Sequence, residues 1–282
     1  MSKLQRYLVT GATSGIGRAT ALVLARRGQH LVVTGRDPAR LEACVRELSE
    51  LGAASVTSYR ADLGSRADVV GLVSFLRGLP PLDGLVLAAG ILEPVRRLSV
   101  DGLELNFAVN HVSKFLLLEA LGETLAQAGA RVVLGAPVGA VKSTLADIHA
   151  EKGWSMFQGI ATSQAANDLL AIELARRFGP SGLRLVAWNP GSTRGTEVAR
   201  SMPWWARGVF WLVNLGGRSL AEVGEQGADL VSADPGRALS WINGKRLVDA
   251  PLVDPELAAR LWQMDEGLRP ARSPQPKGLA TP

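Results

Sequence analysis

VTGATSGIGRATALVLARRG, Val9–Gly28, is the stretch on which the fold of this chain turns. It follows a short β-branched run and opens an amphipathic helix, with Gly11, Gly15 and Gly17 spaced G-x3-G-x-G. Glycines at that spacing let a turn tighten, let backbone amides approach a diphosphate, and let helix pack on strand. The helix N-terminus then faces the anion. Gly11, Thr13, Ser14, Gly15, Ile16 and Gly17 are therefore candidate nucleotide contacts.

Outward from this turn the same alternation continues. YLVTG, LVVTG, SVTSY, DGLVLAAG, ARVVLG and LRLVAWNPG read as strands, separated by amphipathic stretches at 15–27, 38–51, 66–78, 102–127 and 157–178. Strands apolar nearly throughout belong to a parallel sheet covered on both faces, and right-handed crossovers make it doubly wound. The expected class is therefore α/β, a single Rossmann-type domain over residues 1–268. The tail from 269 to 282 is rich in Pro, Ser and Gly and is expected to be disordered.

Composition narrows the ligand class. The chain has 282 residues, is 47% hydrophobic and contains one cysteine, Cys44, so no intrachain disulfide can form. The N-terminus runs directly into a strand with no signal-peptide pattern, and no apolar run is long enough to span a bilayer. A cytoplasmic location is the expectation. The net charge of +5 suits an anionic small ligand, but no basic run with interleaved aromatics argues for nucleic acid. No metal site is read.

The end of the second strand speaks to the nucleotide. An acidic residue there would accept from a ribose 2′-hydroxyl, but the chain has Gly35 followed by Arg36. A guanidinium grips phosphate oxygens, so the expected cofactor is NADPH/NADP+; a helix-capping surface arginine is the bland alternative. Asp62 and Leu63, after the third strand, would flank the adenine, although an Asp there could equally be only an N-cap.

On these residues the chain resembles the short-chain dehydrogenases/reductases over about Leu4 to Leu268. The family motif T-G-x3-G-I-G is intact at Thr10–Gly17, and N-A-G appears as Ala88-Ala89-Gly90. The active-site asparagine of the family matches Asn110. Its P-G motif matches Pro190-Gly191, with Ser192, Thr193 and Thr196 placed for the cofactor. Residues 240–262 are similar to the retinol-dehydrogenase-like branch. The resemblance implies a seven-stranded parallel sheet with the cofactor across the strand carboxyl ends, and pairing of the fifth and sixth helices in a homo-oligomer.

The catalytic end of the pattern is altered. The family uses a Ser, a Tyr that protonates the developing alkoxide, and a Lys that lowers the Tyr pKa and holds the ribose. Those three positions match Pro137, Ile160 and Gln164. The only tyrosines are Tyr7, which starts the first strand, and Tyr59, which ends the third on the adenine side; none lies beyond residue 59, so no realignment restores the acid. Gln164 can still bond a ribose hydroxyl, and with Asn110 it is the candidate for ordering the site. Lys114, one turn after Asn110 on the same helix face, reads first as a surface-helix lysine, with a site cation as the alternative. His111 reads as packed or solvated, and His149 as a minor ligand or acid candidate. Ser143 and Thr144 are hydroxyls near the lost serine that read as the start of the next helix.

The segment EVARSMPWWARGVFWLVNLGG follows the P-G motif and falls in an expected helical lid at about 194–216. Met202, Trp204, Trp205, Phe210 and Trp211 suit a large planar apolar ligand, with ordinary packing and membrane contact as alternatives. Trp154, Met156 and Phe157 would form the opposite wall. With these features the chain is similar to atypical aromatic-polyketide (angucyclinone) ketoreductases. That implies a ketoreductase of antibiotic biosynthesis whose proton comes from a bulky aromatic substrate. An inactive NADP(H) sensor or scaffold and a non-redox cyclase or dehydratase are the other readings.

Overall fold

The residues of β1 (Arg6–Thr10) alternate between two apolar layers: Leu8 joins one core, while Tyr7 and Val9 join the other. Such a strand must be central and covered on both faces, and the computed structural model places it so. It describes residues 4–139, 153–196, 204, 207–208, 216–234, 236–250 and 254–269.

Further strands are β2 (His30–Gly35), β3 (Ser55–Arg60), β4 (Gly84–Leu87), β5 (Arg131–Gly135), β6 (Arg184–Asn189), β7 (Leu239–Asn243) and β8 (Arg246–Val248). They form one sheet in the order β3-β2-β1-β4-β5-β6-β7-β8. Strands β1 to β7 are parallel, as the seven-stranded expectation required. The eighth strand is a correction: β8 folds back antiparallel on β7 through Gly244, whose φ of +59° permits the tight reversal.

One face of the sheet carries α1 (Gly15–Arg26), α2 (Pro38–Glu50) and α7 (Leu220–Ser232). The other carries α3 (Arg66–Arg77), α4 (Leu105–Phe107), α5 (Ser113–Gln127), α6 (Met156–Phe178) and α8 (Pro255–Glu266). The long helix expected at 102–127 is interrupted. A π-turn over Ala108–Val112 joins α4 to α5 and carries both Asn110 and His111. Such turns insert a residue into the helical repeat and re-aim side chains. Helix α5 packs between α3 and α6 in the layer that covers this face of the sheet, and Lys114, Phe115, Leu116, Leu117 and Leu118 are all buried. No helix among the described residues is long and apolar enough to cross a membrane.

Candidate active site

The strand order reverses between β1 and β4, the place where a doubly wound sheet opens a crevice at its carboxyl edge. The glycine turn sits on that edge. Gly11 has φ +69°, and a Cβ there would stand 2.9 Å from Ala89 Cα. The turn therefore presses directly on the β4 exit. A Cβ at Gly17 would meet Gly11 O at 2.5 Å, which closes α1 onto the turn. Gly15, at φ +54°, faces open space, and Ser14 caps α1 without a side-chain hydrogen bond. Thr10 Oγ1 accepts from Ala89 N at 3.2 Å and fixes the neighbouring β4 exit.

A cavity of about 920 Å³ opens from this crevice. Gly11, Ser14, Gly15 and Ile16 line one end, with Ala88, Ala89 and Gly90 from the β4 exit. Pro190, Gly191, Thr193 and Thr196 line the β6 side. Asn110, Lys114, Gly135, Pro137, Ile160, Gln164 and Asn167 close the far end. Neither tyrosine is in the wall: Tyr7 is fully buried in the sheet, and Tyr59 packs on Phe75 with ring centroids 4.9 Å apart.

Beyond the glycine turn, Arg36 is exposed at the β2 exit. Two further arginines stand nearby. Arg40 donates to Thr13 O at 3.2 Å, and Arg60 Nε donates to Arg36 O at 3.1 Å. A Cβ at Gly35 would stand 2.8 Å from Thr13 Cγ2, so a larger residue there would push on the turn. Asp62 is not a helix cap. Its Oδ1 accepts from Gly64 N at 2.9 Å, and Ser65 caps α3 instead. Arg36, Asp62, Leu63, Thr13, Gly17 and Ser192 all lie outside the cavity wall.

The profile of the short chain dehydrogenases matches residues 5–206. The chain belongs to this family. A protein of Streptomyces sp. (strain C5), provisionally named a daunorubicin C-13 ketoreductase, is 34% identical over 268 residues, covering 91% of this chain and 89% of its own. Mouse polyprenol dehydrogenase is 33% identical over 285 residues, with 93% and 82% covered. The solved short-chain dehydrogenase of Sphingobium yanoikuyae in complex with NADPH superposes with a TM-score of 0.63 at 26% identity, covering 98% and 99% of the two chains.

This short-chain dehydrogenase holds a polar network at the far end of its cavity. Asn110 does not extend its amide into the open space. Its Oδ1 accepts from Ile91 N at 2.8 Å, and its Nδ2 donates to Ile91 O at 3.0 Å. Asn110 thus pins the β4 exit loop. Its own carbonyl accepts from Asn167 Nδ2 at 3.0 Å, and the same Nδ2 donates to Gly135 O at 3.2 Å. His111 is fully buried between Asn167 Oδ1 and Asp265 Oδ2, 3.1 and 2.8 Å away.

Lys114 corrects the surface reading. It is 8% exposed and lines the cavity, because α5 is interior on nearly every side. Its Nζ donates to Gly135 O at 3.3 Å, and burial lowers its pKa to about 8. Asp168, also unforeseen, clasps the loop after β5 by accepting from Val138 N at 3.0 Å and Gly139 N at 2.7 Å. Burial raises its pKa to about 6 despite those two donors. The clasp holds Val138 at φ +55°, a strained setting for a β-branched residue, just beyond Pro137. The sequence signal for Asp168 was available: Asn167-Asp168 are polar positions on the buried face of an amphipathic helix.

The expected aromatic wall is met in part. Met156 and Phe157 line the cavity, Phe157 at its open edge with 78% exposure. Trp154 does not line it: its Nε1 would lie 3.2 Å from a Cβ on Gly159, on the side where Asn106 and Glu104 pack. Trp204 is described and exposed. Met202, Trp205, Phe210 and Trp211 lie outside the described residues, as do Ser143, Thr144, His149 and the tail beyond Arg269.

Proposed function

We propose that the chain is an NADPH-dependent ketoreductase that reduces a carbonyl on a large aromatic substrate and takes the accompanying proton from the substrate. The observation that carries this reading is the composition of the cavity's far end. Pro137, Ile160 and Gln164 occupy it at the family's Ser, Tyr and Lys positions, in a space of about 920 Å³. The reading is similar to that of angucyclinone ketoreductases such as the one of simocyclinone biosynthesis.

The residues present fit the cofactor. Gly15 leaves open space where a diphosphate would lie, and Gly35, Arg36, Arg40 and Arg60 would surround a 2′-phosphate. Gln164 would hold a ribose hydroxyl by its amide, while Thr193 and Thr196 edge the β6 side. When bound, a reduced nicotinamide supplies hydride. What the chain must provide is placement, exclusion of water and a charge environment for the oxygen that becomes an alkoxide.

General acid catalysis contributes roughly 10²–10⁴-fold, so loss of a tyrosine is a serious handicap for a simple ketone. A phenol beside the carbonyl removes it. Its O–H proton passes to the new alkoxide oxygen, leaving a phenolate that is reprotonated from water.

The test mixes purified protein and NADPH with polycyclic ketones bearing a peri-hydroxyl group, and with the matching deoxy ketones, following reduced-cofactor absorbance. Oxidation with the hydroxylated set alone is the expected result. Tight NADPH binding without oxidation by any ketone would replace this reading with that of an NADP(H)-binding protein without turnover.

A further inference from the structure

We propose that Lys114 is the counter-charge for an acidic oxygen of the substrate, a phenolate next to the carbonyl, and that it selects ketones carrying such a hydroxyl. This rests on the ketoreductase reading above.

An ammonium group has three donors, and Lys114 uses one of them on Gly135 O at 3.3 Å. Among the described residues no carboxylate forms an ion pair with it. Two amide oxygens on the same cavity wall already accept elsewhere: Asn167 Oδ1 faces His111, and Asn110 Oδ1 takes Ile91 N. A cation that is 8% exposed, unpaired and bonded once is costly to keep. It borders a cavity whose walls nearby are Ile91, Leu92, Val133, Pro137 and Ile160. An anion formed inside that apolar space needs an opposite charge, and Lys114 is a buried cation already at its edge. With a pKa of about 8 it remains protonated at neutral pH.

The step balances without a protein acid. The carbonyl carbon receives hydride, its oxygen takes the phenol proton, and the phenolate left behind pairs with the Lys114 ammonium until water returns a proton. A substrate without the hydroxyl gains nothing from the lysine.

The probe is 1-hydroxyanthraquinone, whose visible absorbance separates phenol from phenolate, titrated on the full-length protein without cofactor. The expected result is at least tenfold more phenolate at a given pH on the wild type than in free solution. Lys114→Met should abolish that excess and Lys114→Arg keep part of it, with NADPH affinity by cofactor fluorescence unchanged in both. Absence of binding, or of excess phenolate, on the wild type overturns the proposal, so it does not depend on any variant folding. A Lys114→Met protein that ionises the probe like the wild type also overturns it. So does one that loses NADPH affinity tenfold with probe ionisation intact, since the lysine would then serve the cofactor. If the probe ionises but no ketone is reduced, the ketoreductase reading falls and the anion site stands. If ketones are reduced without excess phenolate, the Lys114 assignment falls alone.

Discussion

His111 Nε2 lies 2.8 Å from Asp265 Oδ2, and both side chains are sealed from solvent. Asn167 sets the ring's protons. Its Nδ2 faces the carbonyls of Asn110 and Gly135, so its Oδ1 must accept from His111 Nδ1–H. Through the His111–Asp265 contact α8, far along the chain, holds the π-turn that carries Asn110.

That pairing predicts a graded stability series. Asp265→Asn can still donate to Nε2 and should cost under about 1 kcal/mol, whereas Asp265→Ala leaves a buried ring nitrogen unpaired and should cost about 1–3 kcal/mol. Urea unfolding measures both. Equal losses for the two variants would mean that the contact acts by packing alone.

Arg36 offers a test of cofactor choice. Arg36→Ala should weaken NADPH binding about tenfold while barely changing NADH binding, since a charge-assisted bond to phosphate is worth about 1.5–3 kcal/mol and this one is exposed. Arg40 and Arg60 cap the loss by remaining nearby. Unchanged NADPH affinity by fluorescence titration would remove the 2′-phosphate assignment.

Restoring the acid should broaden the substrate range. Ile160 and Gln164 both line the cavity, so Ile160→Tyr combined with Gln164→Lys places a phenol and its cationic partner in the same space. Deoxy ketones should then be reduced, with a gain within the roughly 10²–10⁴-fold of general acid catalysis. Steady-state kinetics on paired hydroxylated and deoxy ketones reads the outcome. No gain would place the limiting factor elsewhere, Pro137 first.

The two buried charges give stability a defined pH dependence. Lys114, near 8 folded against about 10.4 unfolded, binds fewer protons in the native state between those values, so stability rises with pH there. Asp168, near 6 folded against about 3.9 unfolded, binds more, so its contribution falls as pH rises from about 4 to about 6. Lys114→Met should therefore exceed the wild type in stability by about 1–3 kcal/mol near neutrality, with the gap closing towards pH 10. Urea midpoints at pH 7 and pH 10 check it, and a gap independent of pH would contradict the assignment.

Much of the frame was legible because it follows from local rules. The glycine spacing at Gly11, Gly15 and Gly17, the β-branched strands and the amphipathic helices each carry a short-range signal, and most recur within a residue or two of their expected bounds, the interrupted 102–127 helix and the shorter β4 apart. Pro137, Ile160 and Gln164, singled out from the sequence, line one cavity. The burial of Lys114 was not legible. A lysine in a helix reads as solvated until three elements are seen to enclose it, and that enclosure depends on how α5 packs against α3, α6 and the sheet. The contacts of Asn110 with Ile91 were not legible for a related reason: a π-turn carries Asn110, and no sequence period encodes that turn. By itself the sequence determined the doubly wound sheet, the glycine turn after β1 and the absence of a tyrosine beyond residue 59, all properties of neighbouring residues. Only the tertiary structure decided which charges are buried and unpaired, because burial is set by residues that are distant in the chain and meet only when the sheet is covered.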